Sequence, residues 1–160
     1  MFMSELNIKD YILKELNKDE QKTALSFINF LESKSLVFYK DDNGYWKDKI
    51  YYWVKFKNKC ICFISIEDPD EKDANWTVWS DNIQSDLSEN YPIDKSLKEK
   101  SWKYIDICCN CSSCGGGKSK TIFGRHFDKV CSCTFRIDNP KNDDLEFLKF
   151  IVNIKLSEIK

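Results

Sequence analysis

Cys108, Cys111 and Cys114 stand at C-x2-C-x2-C spacing inside the run Ile107-Cys108-Cys109-Asn110-Cys111-Ser112-Ser113-Cys114-Gly115-Gly116-Gly117-Lys118-Ser119-Lys120. Thiols at that interval in a tight turn converge on one ion, as in zinc knuckles and iron-sulfur ligand runs. The glycines have access to positive φ, which lets the loop fold back and present backbone N–H groups to thiolates. A fourth ligand has to come from elsewhere. Cys131 is the first candidate, with His126 and Cys109 or Cys133 behind it. Thiolates from Cys108, Cys111, Cys114 and Cys131 would close a tetrahedral sphere and make a zinc ion structural. An iron-sulfur cluster uses the same residues. The ferredoxin run would continue with x3-C-P, however, and residues 115–118 supply no fourth cysteine, so zinc is expected ahead of a cluster.

Other chemistries fit the run less well. The segment Ser112 to Ser119 approximates a phosphate-binding G-x-x-x-x-G-K-[ST] loop but lacks its first glycine. The residues after Lys118 read as a short strand broken by Gly124 rather than the helix such a loop requires. A redox reading has Lys118, Lys120, Arg125 and Lys129 favouring thiolate, with adjacent C-x2-C pairs closing a disulfide. An enzyme would use a loop thiolate as nucleophile and His126 as base. With one histidine in the chain, and no carboxylate pair standing out, no catalytic residue is assigned. Cys60 and Cys62 alternate with Ile61 and Phe63 and read as small core residues. Cys131 and Cys133 alternate toward Phe135 and Ile137, which marks a core face for that strand.

Large aromatics crowd the middle of the chain. Trp53, Trp76, Trp79 and Trp102, with Trp46, Tyr51, Tyr52 and Tyr104, would line a surface suited to a small apolar or cationic ligand, unless they simply build the core. The four tryptophans named first are the candidate ligand-binding residues.

These side chains need a frame. Residues 1–35 read as helical: Ile8, Tyr11, Ile12 and Leu16 share one face, and Ala24, Phe27, Ile28 and Leu31 share another. From Leu36 the period becomes two, and residues 36–137 read mainly as antiparallel strands. Ile50–Phe56 and Cys60–Ile66 form a hairpin about Lys57-Asn58-Lys59, followed by a Trp-rich strand over 75–80. A short helix is expected near 95–100, a strand over 101–107 and another over 130–137. A C-terminal helix over 139–158 has Asn139 as cap and Pro140 at its first position. Both faces of the central hairpin are apolar, so helices should cover at least one. The class is α+β: an antiparallel sheet packed against N-terminal and C-terminal helices, with a cysteine-rich loop, in a single domain spanning 1–160.

Composition narrows the partners. The 25 Lys and Arg against 26 Asp and Glu leave a net charge of −1. No basic field draws nucleic acid or an anionic membrane. Residues 1–35, with five Lys against six acidic side chains, carry no recognition face for DNA. The N-terminus lacks the apolar segment of a signal peptide, and no window has the roughly 18 apolar residues of a membrane span. A cytoplasmic location is expected, where eight cysteines stay reduced.

The cysteine run, the segment Thr121-Ile122-Phe123-Gly124-Arg125-His126-Phe127-Asp128-Lys129-Val130-Cys131 and the segment Phe135-Arg136-Ile137-Asp138-Asn139-Pro140 together carry a resemblance. With Tyr45-Trp46, Trp53-Val54-Lys55 and Trp79-Ser80-Asp81, the chain resembles, over roughly residues 20 to 155, a group of small cysteine-motif proteins of Gram-positive bacteria. Similar segments are attached to AraC-type transcription regulators. The matching cysteines are Cys108, Cys111, Cys114 and Cys131. The resemblance implies a sensory or effector-binding role, although this chain shows no DNA-binding domain of its own. The expectation is a ligand-binding or sensory module with a structural zinc site; a thiol redox sensor, an iron-sulfur protein and a thiol-dependent enzyme are the alternatives.

Overall fold

The computed structural model describes residues 6–84, 87–108 and 116–159. Two helices open the chain, α1 (Ile8–Glu15) and α2 (Lys18–Ser33). Each starts on an asparagine, Asn7 or Asn17, whose side chain accepts the N–H three residues on while the acid there, Asp10 or Glu20, accepts the cap's own N–H. These reciprocal bonds satisfy donors that a bare helix start would leave open.

Strands β1 (Val37–Lys40), β2 (Ile50–Phe56), β3 (Lys59–Ile66) and β4 (Trp76–Ser80) follow as an antiparallel run. Lys57 and Asn58 both take positive φ, which matches the twist of a two-residue hairpin between β2 and β3. Helix α3 (Lys95–Lys103) then leads to β5 (Ile105–Ile107), β6 (Lys118–Ile122), the long β7 (Arg125–Asp138) and helix α4 (Leu145–Glu158). The seven-stranded sheet has the order β1-β2-β3-β4-β7-β5, with β6 also paired to β7, and every pairing is antiparallel. The chain is therefore α+β, with helices at both termini. Among the described residues, no helix is long and apolar enough to cross a membrane.

One face of the sheet is the core. Tyr52, Ile64, Val78 and Ile137 lie side by side across four strands. Phe27, Ile28 and Leu31 of α2 and Phe147, Leu148, Ile151 and Val152 of α4 cover them, all essentially without solvent contact. Each such burial contributes about 1.5–3 kcal/mol. The opposite face carries Trp53, Phe63, Trp79 and Arg136 in one cross-strand row. Among the described residues no α-helix covers that row, which stays partly exposed.

Four local expectations are corrected. The C-terminal helix begins at Leu145, after a 3-10 turn over Asn142–Asp144. Asn139 sits at positive φ and its side chain accepts from the Asn75 N–H (2.6 Å), tying β7 back to β4 instead of capping the helix. Ser101, Trp102 and Lys103 complete α3, which leaves β5 only three residues. Cys60 and Cys62 do not share a face. An extra residue, Ile61, interrupts the β2–β3 ladder, so Cys60 pairs with Lys55 and Cys62 with Val54, successive residues that face opposite ways. Finally, Cys131 and Cys133 are not on the core face with Phe135 and Ile137. Thr134 takes a left-handed conformation (φ 71°) inside β7 and reverses the alternation between Cys133 and Phe135.

Candidate metal centre

The β7 irregularity builds the site. Along the β5–β7 ladder, Ile105 is opposite Phe135 and Ile107 is opposite Val130. One residue of β5, Asp106, therefore faces the four residues Cys131 to Thr134, which bulge around it. The result is a cluster in which one ligand atom each from Asp106, Cys131 and Cys133 lies within 4.8 Å of the others, all half-buried. This group could hold a metal ion. Two thiols and a carboxylate suit a borderline or soft divalent cation better than the all-oxygen shell that calcium or magnesium prefers.

The Cys133 Sγ donates to Asp106 Oδ2 at 3.2 Å. Burial is the largest influence on that thiol and raises its pKa, and the neighbouring Asp106 and Cys131 raise it further. In the metal-free molecule it is a protonated hydrogen-bond donor, not an activated nucleophile. A metal would take the place of that proton, since thiol ligands bind as thiolates.

Above the cluster opens a concavity of about 430 Å³, lined by the Asp106, Cys131 and Cys133 group and by Trp46, Tyr51, Phe63, Trp79 and Arg136. Trp46, on a 3-10 turn before β2, stacks on Tyr51 with ring centroids 3.9 Å apart, and Trp79 meets both rings edge-on. The turn is clamped at the rim. The Tyr45 hydroxyl donates to Asp68 (2.9 Å), and the Lys49 ammonium bridges Asp68 and Asp70 while lying 3.3 Å from the Tyr45 ring centre. Arg136 pairs with Asp138 (3.1 Å) and Glu71 (3.4 Å) and lies over Trp79.

Of the four cysteines expected as zinc ligands, Cys131 is in the three-residue cluster. Cys108 lines the same concavity without being one of those three. Its N–H donates to the Lys129 carbonyl at 2.7 Å. Cys111 and Cys114, with Cys109, lie outside the described residues. At the far end of the loop, Gly117 has φ 82°, and a Cβ there would come within 2.7 Å of the Lys129 carbonyl, so only glycine fits. Both ends of the segment are thus anchored on β7 two residues before Cys131. Lys118 starts β6, so no helix follows it to cradle a phosphate.

His126 stands on the exposed β6–β7 hairpin, bonded to Asp128 (3.0 Å), and is not among the residues lining the concavity. The four candidate tryptophans are not brought together. Trp79 lines the concavity, and Trp53 is behind Phe63, its indole N–H donating to Asp41 (3.0 Å). Trp76 is buried in the core at 1% exposure, and Trp102, on α3, donates to the Ile122 carbonyl (2.8 Å). One sequence signal could have separated them: residues 76 and 79 are an odd number apart on one strand and must face opposite ways. Asp106 had no signal in the sequence, because its role depends on the bulge. Compared with known proteins, the chain matches no family model, no curated protein and no solved structure.

Proposed function

We propose that the protein is a metal-binding module whose ion, zinc by ligand chemistry, is held by Cys131, Cys133 and Asp106 with a further thiol from the Cys108 loop. The observation that carries this reading is the convergence of three half-buried ligand atoms within 4.8 Å on a bulge that alternation alone would not have produced. Two thiolates and a carboxylate leave one position of a tetrahedral zinc to be filled, and Cys108 lines the same concavity. The aromatic wall beside the cluster supports a module that takes a small ligand next to its metal, in keeping with the sensory role expected from the cysteine motif.

A thiol redox switch is the second reading, favoured by the closeness of the Cys131 and Cys133 sulfurs. Against it stands the raised pKa of Cys133, which disfavours the thiolate that oxidation requires.

Elemental analysis with native mass spectrometry, on protein purified in air and anaerobically, tests the proposal. Roughly one equivalent of zinc in both preparations, lost in the Cys131→Ser, Cys133→Ser variant, supports it. Retention in that variant with loss in Cys111→Ser, Cys114→Ser would move the ion to the loop thiols. Iron and sulfide in the anaerobic sample alone would establish a cluster. Metal-free, stable protein from both preparations would overturn the proposal.

A further inference from the structure

Thr134 is the least expected residue in the sheet. A β-branched side chain at φ 71° is sterically costly, and such outliers persist only where their surroundings over-determine them. Thr134 is fully buried, and three groups hold it. The Lys120 ammonium, reaching from β6, donates to Thr134 Oγ1 (2.9 Å), Asn82 Oδ1 (2.9 Å) and the Ile83 carbonyl (3.3 Å). The Ile83 N–H donates to the same Thr134 oxygen at 3.4 Å. On either side of Thr134, Ser80 of β4 stands in for a ladder partner. Its hydroxyl donates to the Cys133 carbonyl and accepts the Phe135 N–H (3.2 Å).

The geometry has one clear consequence. With regular alternation, Cys133 would face the same way as Phe135 and Ile137, into the apolar core. With the left-handed residue between them, Phe135 and Ile137 stay in the core while Cys133 turns to Asp106 and Cys131. We infer that Lys120 and Ser80 are positioning residues of the metal centre, which lock Thr134 in the left-handed conformation and so aim the Cys133 sulfur at the ion. This inference rests on the metal-binding reading above, and its test has a readout that does not need the metal.

The test is a double-mutant cycle of Lys120→Met and Thr134→Gly. Glycine occupies positive φ without steric cost, so in the Thr134→Gly background the lock is not required. Lys120→Met alone should weaken zinc binding, measured by chelator competition, about 10- to 100-fold, the range for loss of a group that orients a ligand. In the Thr134→Gly background the same change should cost less than about 3-fold, a coupling expected only of residues that act on one element. Equal losses in both backgrounds, or none in either, would overturn the inference and leave Lys120 a structural plug.

The second readout is the iodoacetamide alkylation rate of Cys133 relative to Cys131, mapped by peptide mass in metal-free folded protein. Lys120→Met should protect Cys133 as it swings toward the core, and Thr134→Gly should restore its access. If the wild-type protein binds no metal yet the alkylation cycle holds, the lock stands and the metal reading falls. If Cys133 reactivity is the same in all four proteins, the lock is overturned whatever the metal content. Should Lys120→Met fail to fold, Ser80→Ala carries both measurements with the same expected directions.

Discussion

Two C-x-C pairs lie on strands of one sheet, Cys60-x-Cys62 on β3 and Cys131-x-Cys133 on β7, and among the described residues only the second joins a group that could hold a metal ion. Burial raises the pKa of the Cys60, Cys62 and Cys133 thiols, pushing Cys60 up to about 12. The difference is where the chain leaves the regular ladder. On β3 the extra residue falls between the two cysteines and splits them across the sheet: Cys62 is sealed in the core with Val54, while Cys60 faces the other way with Lys55. On β7 the left-handed residue falls after both cysteines and turns the pair together away from Phe135 and toward Asp106. Identical spacing thus gives packing in one strand and a possible ligand set in the other. Position of an irregularity, not composition, decides the chemistry.

The largest effect that can break this comparison is on metal content. Cys131→Ser with Cys133→Ser should reduce bound metal from roughly one equivalent to near zero. Cys60→Ser with Cys62→Ser should leave the metal in place and lower stability, because a hydroxyl replaces a thiol in the sealed core at Cys62, at a cost of about 1–3 kcal/mol. Denaturant unfolding of the metal-free proteins separates the two: the β3 variant loses stability there and the β7 variant loses much less. Equal metal loss from both variants would mean that the β3 thiols, not the bulge, matter to the ion.

How far the sequence foretells this follows from the same contrast. Apolar periodicity at Ile8 to Leu16 and at Ala24 to Leu31 marks the helices, and two apolar, β-prone runs over 50–56 and 60–66 split by Lys57-Asn58-Lys59 mark the central hairpin. The spacing of Cys108, Cys111 and Cys114 suggests a ligand run with Cys131 as the first candidate for its fourth member; Cys108 and Cys131 line one concavity, Cys108 is not in the three-residue cluster, and Cys111 and Cys114 lie outside the described residues. What alternation cannot supply is its own interruption. Neither Ile61 nor Thr134 is a glycine or an asparagine, the residues that ordinarily announce a bulge, so the facing of Cys60, Cys133 and Asp106 was hidden. Thr134 is held left-handed by Lys120 and Ser80, which lie 14 and 54 residues away in the chain, beyond the reach of local pattern.

A second, smaller effect sharpens the contrast between the covered and the open side of the sheet. Asp144, at the start of α4, is buried beneath Lys100 (2.8 Å) and Tyr104 (2.8 Å) and accepts the Lys141 N–H (2.9 Å). Burial opposes its ionisation, but the Lys100 ammonium, the Lys141 N–H and the Tyr104 hydroxyl outweigh it and hold the carboxyl below its usual range. Because the folded pKa is depressed, this stabilisation is full above the unfolded value of about 3.9 and is lost as pH falls through the folded one. Asp144→Asn should therefore cost roughly 3 kcal/mol near neutrality and flatten the acid limb of stability against pH. Asp106 accepts a thiol hydrogen bond, and no Lys or Arg pairs with it among the described residues. Asp106→Asn should change metal-free stability by less than about 1 kcal/mol while weakening metal binding. Urea titrations across pH 2.5 to 7, with chelator competition at neutral pH, check both; a steep acid limb retained in Asp144→Asn would show that other carboxylates govern it.

The smallest expected effect concerns the rim. Arg136 holds Asp138 and Glu71 and covers Trp79, the aromatic nearest in the row to the β7 bulge. Arg136→Lys keeps the charge but loses the planar fork and the stack on the indole. On an open face those contacts are partly screened, so stability should fall by only about 0.5–1 kcal/mol. Trp79 would become more exposed, and its fluorescence should shift to longer wavelength, which Arg136→Lys should show and a charge-preserving change on a distant surface, such as Lys95→Arg, should not. If the stability loss instead matched that of Asp144→Asn, the aromatic row would be a second core rather than the wall of a site. An unchanged fold with altered Trp79 emission would mean that Arg136 shapes the concavity, and that the uncovered face of the sheet is organised around its opening, not around cohesion of the chain.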